Sequence, residues 1–285
     1  MRSSFEEIAQ ALERFRSHRL QANRIVLEKI IPMIERATVP EDNGSDDERT
    51  RRYQKLGVKF LEEEVVHQPL NMGRPGEFLE RWDDFKHIVD GTLVVQDEAR
   101  RVSLRAEFFS EVEAALKEKA PEELRESITF PDELRLLLEQ VDGVCGPGLA
   151  GWNCKFHGWF LDGSTTVERE VPLPYFQDNG GFEELEVAIG IQLGDGIEIE
   201  SWAIFSRTKD EPDEPWEWRY VVYFFEFGQR IFDTIPDALD GFASLKEPDE
   251  EDMLKDWDGV GEDAARFIHG RFQYESTQAF EVVRR

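Results

Sequence analysis

Residues 185–205, LEVAIGIQLGDGIEIESWAIF, decide the fold class. Leu185, Val187, Ile189, Ile191 and Leu193 alternate with Glu186, Ala188, Gly190 and Gln192, the period of two expected of a strand with one buried face. Gly194-Asp195-Gly196 supplies residues that tolerate positive φ, as a tight hairpin requires. In the return run, Ile197 to Phe205, the apolar parity shifts around Ser201 and Trp202, which predicts a bulge or an edge that partners another surface. Upstream, residues 128–143, ITFPDELRLLLEQVDG, follow a period of 3.6. Leu134, Leu137, Leu138 and Val141 fall at i, i+3, i+4 and i+7 on one helix face. Thr129 is placed to cap the first turn, Pro131 comes early, Asp132 and Glu133 complement the dipole, and Gly143 suits a left-handed closing residue. Downstream, Trp218 to Phe227 is apolar on both faces, with Tyr220, Val222 and Phe224 opposed to Val221, Tyr223 and Phe225. That predicts a central strand covered on both sides. Gly228-Gln229 turns it into Arg230-Ile231-Phe232. Thr234 then caps a short helix with Ile235, Leu239 and Phe242 as its buried stripe. Helix, antiparallel meander and helix make an α+β arrangement.

The first ~125 residues read as helical. Phe5, Ile8, Leu12 and Phe15 share a helical face, and Ile30, Ile31 and Ile34 end a second stripe near Pro32. Residues 38–52, TVPEDNGSDDERTRR, hold no apolar period and read as a flexible loop. Helical spacing returns at Leu56, Phe60 and Leu61, at Phe78, Leu79, Trp82 and Phe85, and at Leu104, Phe108, Val112, Ala115 and Leu116, stopping near Ala120-Pro121. The expected organisation is a mostly helical N-terminal extension over 1–125, an α+β domain over 126–245, and an acidic linker with a C-terminal helix or tail over 246–285.

Asp and Glu number 61 against 34 Lys and Arg, a formal charge of -27. A field of that sign repels phosphate backbones, which excludes nucleic acid as a natural partner and favours a protein with a basic surface; it also keeps a protein soluble. With 40% hydrophobic and 12% aromatic residues the chain has the material for real cores. No run approaches the ~20 apolar residues that span a bilayer. The opening Met1-Arg-Ser-Ser-Phe-Glu-Glu lacks the apolar run of a secretory signal. Cys145 and Cys154 lack CxxC spacing and read as reduced thiols rather than zinc ligands. The expectation is a cytoplasmic protein with no membrane contact.

Motifs for catalysis fail one by one. His18, His67, His87, His157 and His269 form no i, i+4 pair and no H-E-x-x-H run. Among so many carboxylates, adjacent acidic pairs arise by composition alone. Aligning Gly259 with the invariant glycine of an EF-hand puts Leu254 at the first ligand position and Ala265 where the bidentate Glu belongs. The glycines at 143, 146, 148 and 151 follow a helix and lack a lysine, unlike a P-loop. Gly259-Val-Gly261 opens a helix whose first turn holds Glu262 and Asp263, where a phosphate would have to sit. No catalytic residue, cofactor or metal is expected. The tryptophans say more. Trp152, Trp159, Trp202, Trp216 and Trp218 gather around the predicted sheet, where aromatics are ordinarily core. Trp216, set between Pro215 and Glu217 after a charged insert, is the least suited to full burial. Trp202, Trp216 and Trp218, with Asp213, Glu214 and Glu217, are therefore the candidate partner-binding residues. Residues 246–263, with nine acidic and two basic side chains, add an electrostatic guide or a solvated segment.

Over residues ~125 to ~245 the order of elements resembles the SUKH superfamily, the module of bacterial immunity proteins and of a fungal cell-wall regulator. Phe130-Pro131 stands for the Leu-Pro-like step that opens its first helix, and Asp142-Gly143 for the Asn-Gly or Asp-Gly step that closes it. Gly143 to Gly151 and Gly190 to Gly196 match its glycine-rich loop and turn. Thr234-Ile235-Pro236-Asp237-Ala238-Leu239 matches its closing S-F-x-x-F-L helix. Ile235 and Leu239 replace the aromatic positions there, and Lys209 to Pro215 lengthens one hairpin. The helical N-terminal region resembles the larger fungal members. The resemblance implies a SUKH-like antiparallel sheet flanked by helices and a non-enzymatic protein-interaction or regulatory role, related to cell-wall synthesis or signalling. Two alternatives stay open: an immunity protein that neutralises a basic toxin, and a hydrolase with a carboxylate site in a cleft. Fold alone does not choose the partner.

Overall fold

The change of period from 3.6 to 2 becomes a change from helices to two antiparallel sheets in a computed structural model of the chain. It describes residues 2–37, 45–94, 98–146, 149, 157–160, 167–168, 185–195, 199–211, 213–224, 228–244, 254, 257 and 259–283. The helices are α1 (Phe5–Glu35), α2 (Asp46–Phe60) continued by a π-helical turn (Leu61–Val66), the short α3 (Glu77–Glu80) and α4 (Trp82–Phe85), α5 (Glu98–Lys119), α6 (Asp132–Gln140), α7 (Ile235–Ala243) and α8 (Val260–Val283). β1 (Thr92–Leu93), β2 (Gly143–Gly146) and β3 (His157–Phe160) form one sheet in that order. β4 (Val167–Glu168), β5 (Leu185–Asp195), β6 (Ile199–Thr208), β7 (Glu217–Phe224) and β8 (Gly228–Phe232) form the other. The chain is α+β, with a helical N-terminal region.

Contacts divide the chain into two units. One comprises residues 1–18, 91–147 and 155–247; the other comprises 19–90, 148–154 and 248–285. These units do not coincide with the composition change at about residue 125, because the start of α1 and all of α5 join the sheets. In the first unit Ile8, Leu12 and Phe15 of α1, Phe108, Val112 and Leu116 of α5, Leu134 and Leu137 of α6, and Leu239 and Phe242 of α7 share one buried cluster with the sheet residues Ile191, Ala203, Tyr220 and Val222. In the second, Val26, Ile30 and Ile34 of α1 are buried with Phe60, Leu61, Phe78, Trp257 and Val260. Pro32 sits in the last turn of α1 without ending it, and the Arg36 N–H still donates to the Pro32 carbonyl at 3.2 Å.

The alternation at 185–193 is real but does not mark one face. The pairs Val187↔Ser206 and Ile189↔Phe205 skip a residue, so Ala188 is the extra residue of a β-bulge. Leu185 and Val187 therefore pack with Trp202, Ile204 and Val221 on one side, whereas Ile189, Ile191 and Leu193 join the helices on the other. A second register shift, between Gln192↔Trp202 and Gly194↔Ser201, lies where the parity of the return run changes. β7 is covered on both sides, with Tyr220 and Val222 in the helix-covered cluster and Val221 in the opposite one.

Four local expectations are corrected. Residues 46–52 are helical, inside α2, and only 38–44 of the expected loop lie outside the described residues. Phe5 is 51% exposed and stands off the stripe of Ile8, Leu12 and Phe15. Thr129 does not cap α6: the capping position is Pro131, whose carbonyl accepts from the Arg135 N–H at 3.0 Å. Gly143 does not close α6 in a left-handed conformation. Val141 already turns extended (φ -137), the Asp142 N–H donates to Leu93 O at 2.8 Å, and Gly143 opens β2. Thr234 does cap α7, its hydroxyl accepting from the Asp237 N–H at 3.2 Å. Trp152, Cys154, the glycines at 148, 151 and 196, Phe225, Phe227 and the acidic run 249–252 lie outside the described residues, as do the side chains of His157 and Trp159.

Gly241 of α7 packs so closely on the Phe232 ring of β8 that a Cβ would overlap it. Gly241→Ala gains ~1 kcal/mol of helix propensity. Overpacking by ~1–3 kcal/mol outweighs that gain, so a net loss in urea unfolding is expected, and adding Phe232→Leu recovers it.

Candidate functional site

The entry to α6, the facing ends of β6 and β7 and Asp233, two residues before α7, converge on a cleft of about 270 Å³. Its floor follows from strand register. Phe205 and Trp218 are direct cross-strand partners, with ring centroids 5.2 Å apart and tilted by 45°. Trp216, two residues before Trp218, stacks on Phe205 at 6.0 Å. The Trp218 indole N–H donates to the Thr129 carbonyl at 3.1 Å, so the residue read as a helix cap instead fixes an aromatic ring. The Arg207 guanidinium lies 4.6 Å over the Trp216 ring and donates to Glu186 at 2.8 Å. Both tryptophans remain partly exposed.

Around the floor stand carboxylates in different states. Glu133, in the first turn of α6, is only 5% exposed. Its Oε2 accepts the Ile235 N–H at 3.0 Å, and its Oε1 is buried with no hydrogen-bond partner among the described residues. Glu217 and Asp233 are more open, and both are held by Arg2. That guanidinium pairs with the Glu217 carboxylate, lies 3.0 Å from Asp233 Oδ1 and donates to the Asp233 carbonyl at 3.2 Å. Beneath them the buried Arg219 donates to Ser206 O at 2.9 Å and to Ser206 Oγ at 3.1 Å, pairs with Glu214 at 3.0 Å, and lies 3.3 Å from Asp233.

Tyr220 also lines the cleft and is buried. Burial pushes its phenol well above its ordinary value, and the Glu133 and then the Asp132 carboxylates push further in the same direction. The folded pKa lies above the unfolded one. The contribution is therefore complete below the unfolded value near 10.0 and is lost as pH rises through the folded one. Urea midpoints taken from pH 8 to pH 11 are expected to fall on the alkaline side, and Tyr220→Phe flattens that fall.

Three of the six residues proposed from sequence meet at this cleft: Trp216, Glu217 and Trp218. Trp202 is 3% exposed on the opposite face of the sheet, packed with Ile204 and Val221. Asp213 is exposed in the β6–β7 connection. Glu214 turns inward: hydrogen bonds from Thr208, then the Arg219 guanidinium, hold its carboxyl below the usual range and close that connection. Sequence reasoning missed Phe205, Glu133, Tyr220, Asp233 and Arg2 as members of the site. Glu133 carries a local signal, an acid in a helix first turn, but its neighbours come from four separate parts of the chain. Among the described residues no group of three or more His, Cys, Asp or Glu is placed to hold a metal ion, and no helix is long and apolar enough to cross a membrane. Compared with protein-family models, curated proteins and solved structures, the chain gives no match.

Proposed function

We propose that the chain is a non-enzymatic protein-interaction module of the SUKH kind, with a regulatory role, and that a partner with a basic surface docks on the cleft of Trp216, Glu217 and Trp218. One observation carries this reading: two partly exposed tryptophans sit beside Phe205 in a cleft rimmed by carboxylates. Tryptophans in such settings anchor interfaces, and a formal charge of -27 steers cationic surfaces toward them. A hydrolytic pair needs two carboxylates converging on one substrate. Of the described carboxylates that line the cleft Glu133 alone is buried, and one of its oxygens is committed to the Ile235 N–H, which supports the binding reading.

Affinity purification with chemical cross-linking tests the proposal. Cross-links are expected at 129–133 and 216–218, and Trp216→Ala is expected to weaken capture by ~2 kcal/mol or more, roughly thirtyfold. Cross-links confined to other surfaces, or turnover of a small molecule by the purified chain, would count against it.

A further inference from the structure

Resting on that interaction role, we infer that the cleft receives a single arginine side chain of the partner, and that Arg2 of this chain is the built-in occupant which that arginine displaces. The rim already engages a guanidinium. Arg2 spreads its nitrogens over the Glu217 carboxylate, the Asp233 carboxylate and the Asp233 carbonyl. These are three acceptors for the planar fork that distinguishes arginine from the point charge of lysine. Arg2 itself lines the cleft, together with Glu133 and Tyr220.

Arg2 leaves one acceptor unused. Glu133 Oε1 is buried and has no hydrogen-bond partner among the described residues, on a residue that lines the same cleft and is 5% exposed. A buried carboxylate oxygen without a donor is costly, and a cation that reaches it recovers that cost. The aromatic surface favours the same ligand, because a guanidinium is weakly hydrated and stacks on ring faces. Arg207 over Trp216, at 4.6 Å, is a local instance. At about 270 Å³ the cleft falls below the ~300–1,000 Å³ of small-molecule sites and suits one side chain. The carboxylates do not form a metal-holding cluster among the described residues.

The test uses the full chain labelled with 15N and two capped tripeptides, acetyl-Gly-Arg-Gly-amide and acetyl-Gly-Lys-Gly-amide. The indole N–H signals of Trp216 and Trp218 are followed, each identified by its Trp→Phe variant. The arginine peptide is expected to shift both signals with a Kd of order 1 mM, and the lysine peptide to bind at least about fivefold more weakly. Arg2→Ala, which frees the rim, tightens arginine binding by roughly threefold to tenfold. Glu133→Gln, which keeps an acceptor for the Ile235 N–H, weakens it about tenfold. Equal binding of the two peptides, no response to Glu133→Gln in a folded variant, or weaker binding after Arg2→Ala each overturns the inference. Arg2 lies outside the buried core, so its variant decides the matter even if Glu133→Gln unfolds. If the peptides fail while partner capture still depends on Trp216, the arginine assignment falls and the interaction role stands. If capture ignores Trp216, the interaction role falls with it.

Discussion

Phe15→Ala is expected to lower the unfolding free energy by about 3–5 kcal/mol, the range for emptying a buried aromatic site. Phe15 is fully buried, and its ring stacks on Phe242 of α7 at 5.8 Å with 13° between planes. Both rings belong to the cluster that also holds Leu12, Leu239 and the sheet residues Tyr220 and Val222. Removing the ring leaves a cavity between elements far apart in sequence, which neither can collapse to fill. The stacking geometry adds a pairwise part of ~0.5–1.5 kcal/mol. A cycle with Phe242→Leu should therefore return a coupling of that order rather than simple additivity. Phe5, placed on the same stripe by spacing alone, is the control. It is 51% exposed, and Phe5→Ala is expected to change stability by no more than about 0.5 kcal/mol. Because the chain contains two contact units, denaturation needs a probe within the unit of Phe15. Hydrogen exchange of the β6 and β7 amides provides one, and their protection should drop with Phe15→Ala but not with Phe5→Ala.

The contrast between Phe5 and Phe15 shows what periodicity carries. A stripe names the side of a helix that faces apolar neighbours, not where along the helix those neighbours begin. α2 fails in the opposite direction. Residues 46–52, DDERTRR, contain no apolar side chain, so no period can be read there. The helix is anchored instead by Tyr53 and Leu56, buried with Ile268, and by Phe60. Tertiary packing thus decides what local propensity leaves open. In the sheet, the two-faced apolar run of β7 and the Thr234 cap were legible because each is a local pattern with a local cause. The bulge at Ala188 was not, since one residue with no partner across the strand reverses every later side chain without disturbing the alternation.

The cleft was half legible for a similar reason. Trp216, Glu217 and Trp218 are neighbours in sequence, and a charged insert before them marks a place where an aromatic side chain is hard to bury. Phe205 reaches them through strand pairing, Glu133 through the start of α6, Asp233 through the turn into α7, and Arg2 from the far end of the chain. Nothing in their spacing encodes that meeting. The net charge of -27 is legible at once, whereas the pairing of Arg2 with Glu217 and Asp233 is not.

The second large effect is expected at Asp142, which in sequence is only half of an Asp-Gly step. Its side chain is 8% exposed and lies 2.9 Å from Arg101 Nε and 3.6 Å from Arg105 Nε, guanidiniums that are 11% and 12% exposed. Arg101 and Arg105 are four apart on α5 and so project from one helix face toward the α6–β2 junction. Asp142→Ala removes the carboxylate and leaves both cations with little solvent to take its place. A loss of about 3–5 kcal/mol is expected, the cost of breaking a buried pair from one side. Asp142→Asn keeps the shape and an acceptor but not the charge, and should fall between the two. Adding Arg105→Met to Asp142→Ala removes one stranded cation, so the double variant is expected to be more stable than the sum of the single losses by about 1–3 kcal/mol. If the cluster were only a surface pair, Asp142→Ala would cost about 1 kcal/mol or less and the difference would fade in 0.5 M salt. A large loss that persists at that salt would establish that α5, which reads as part of a helical extension, is held to the sheet unit by buried charge.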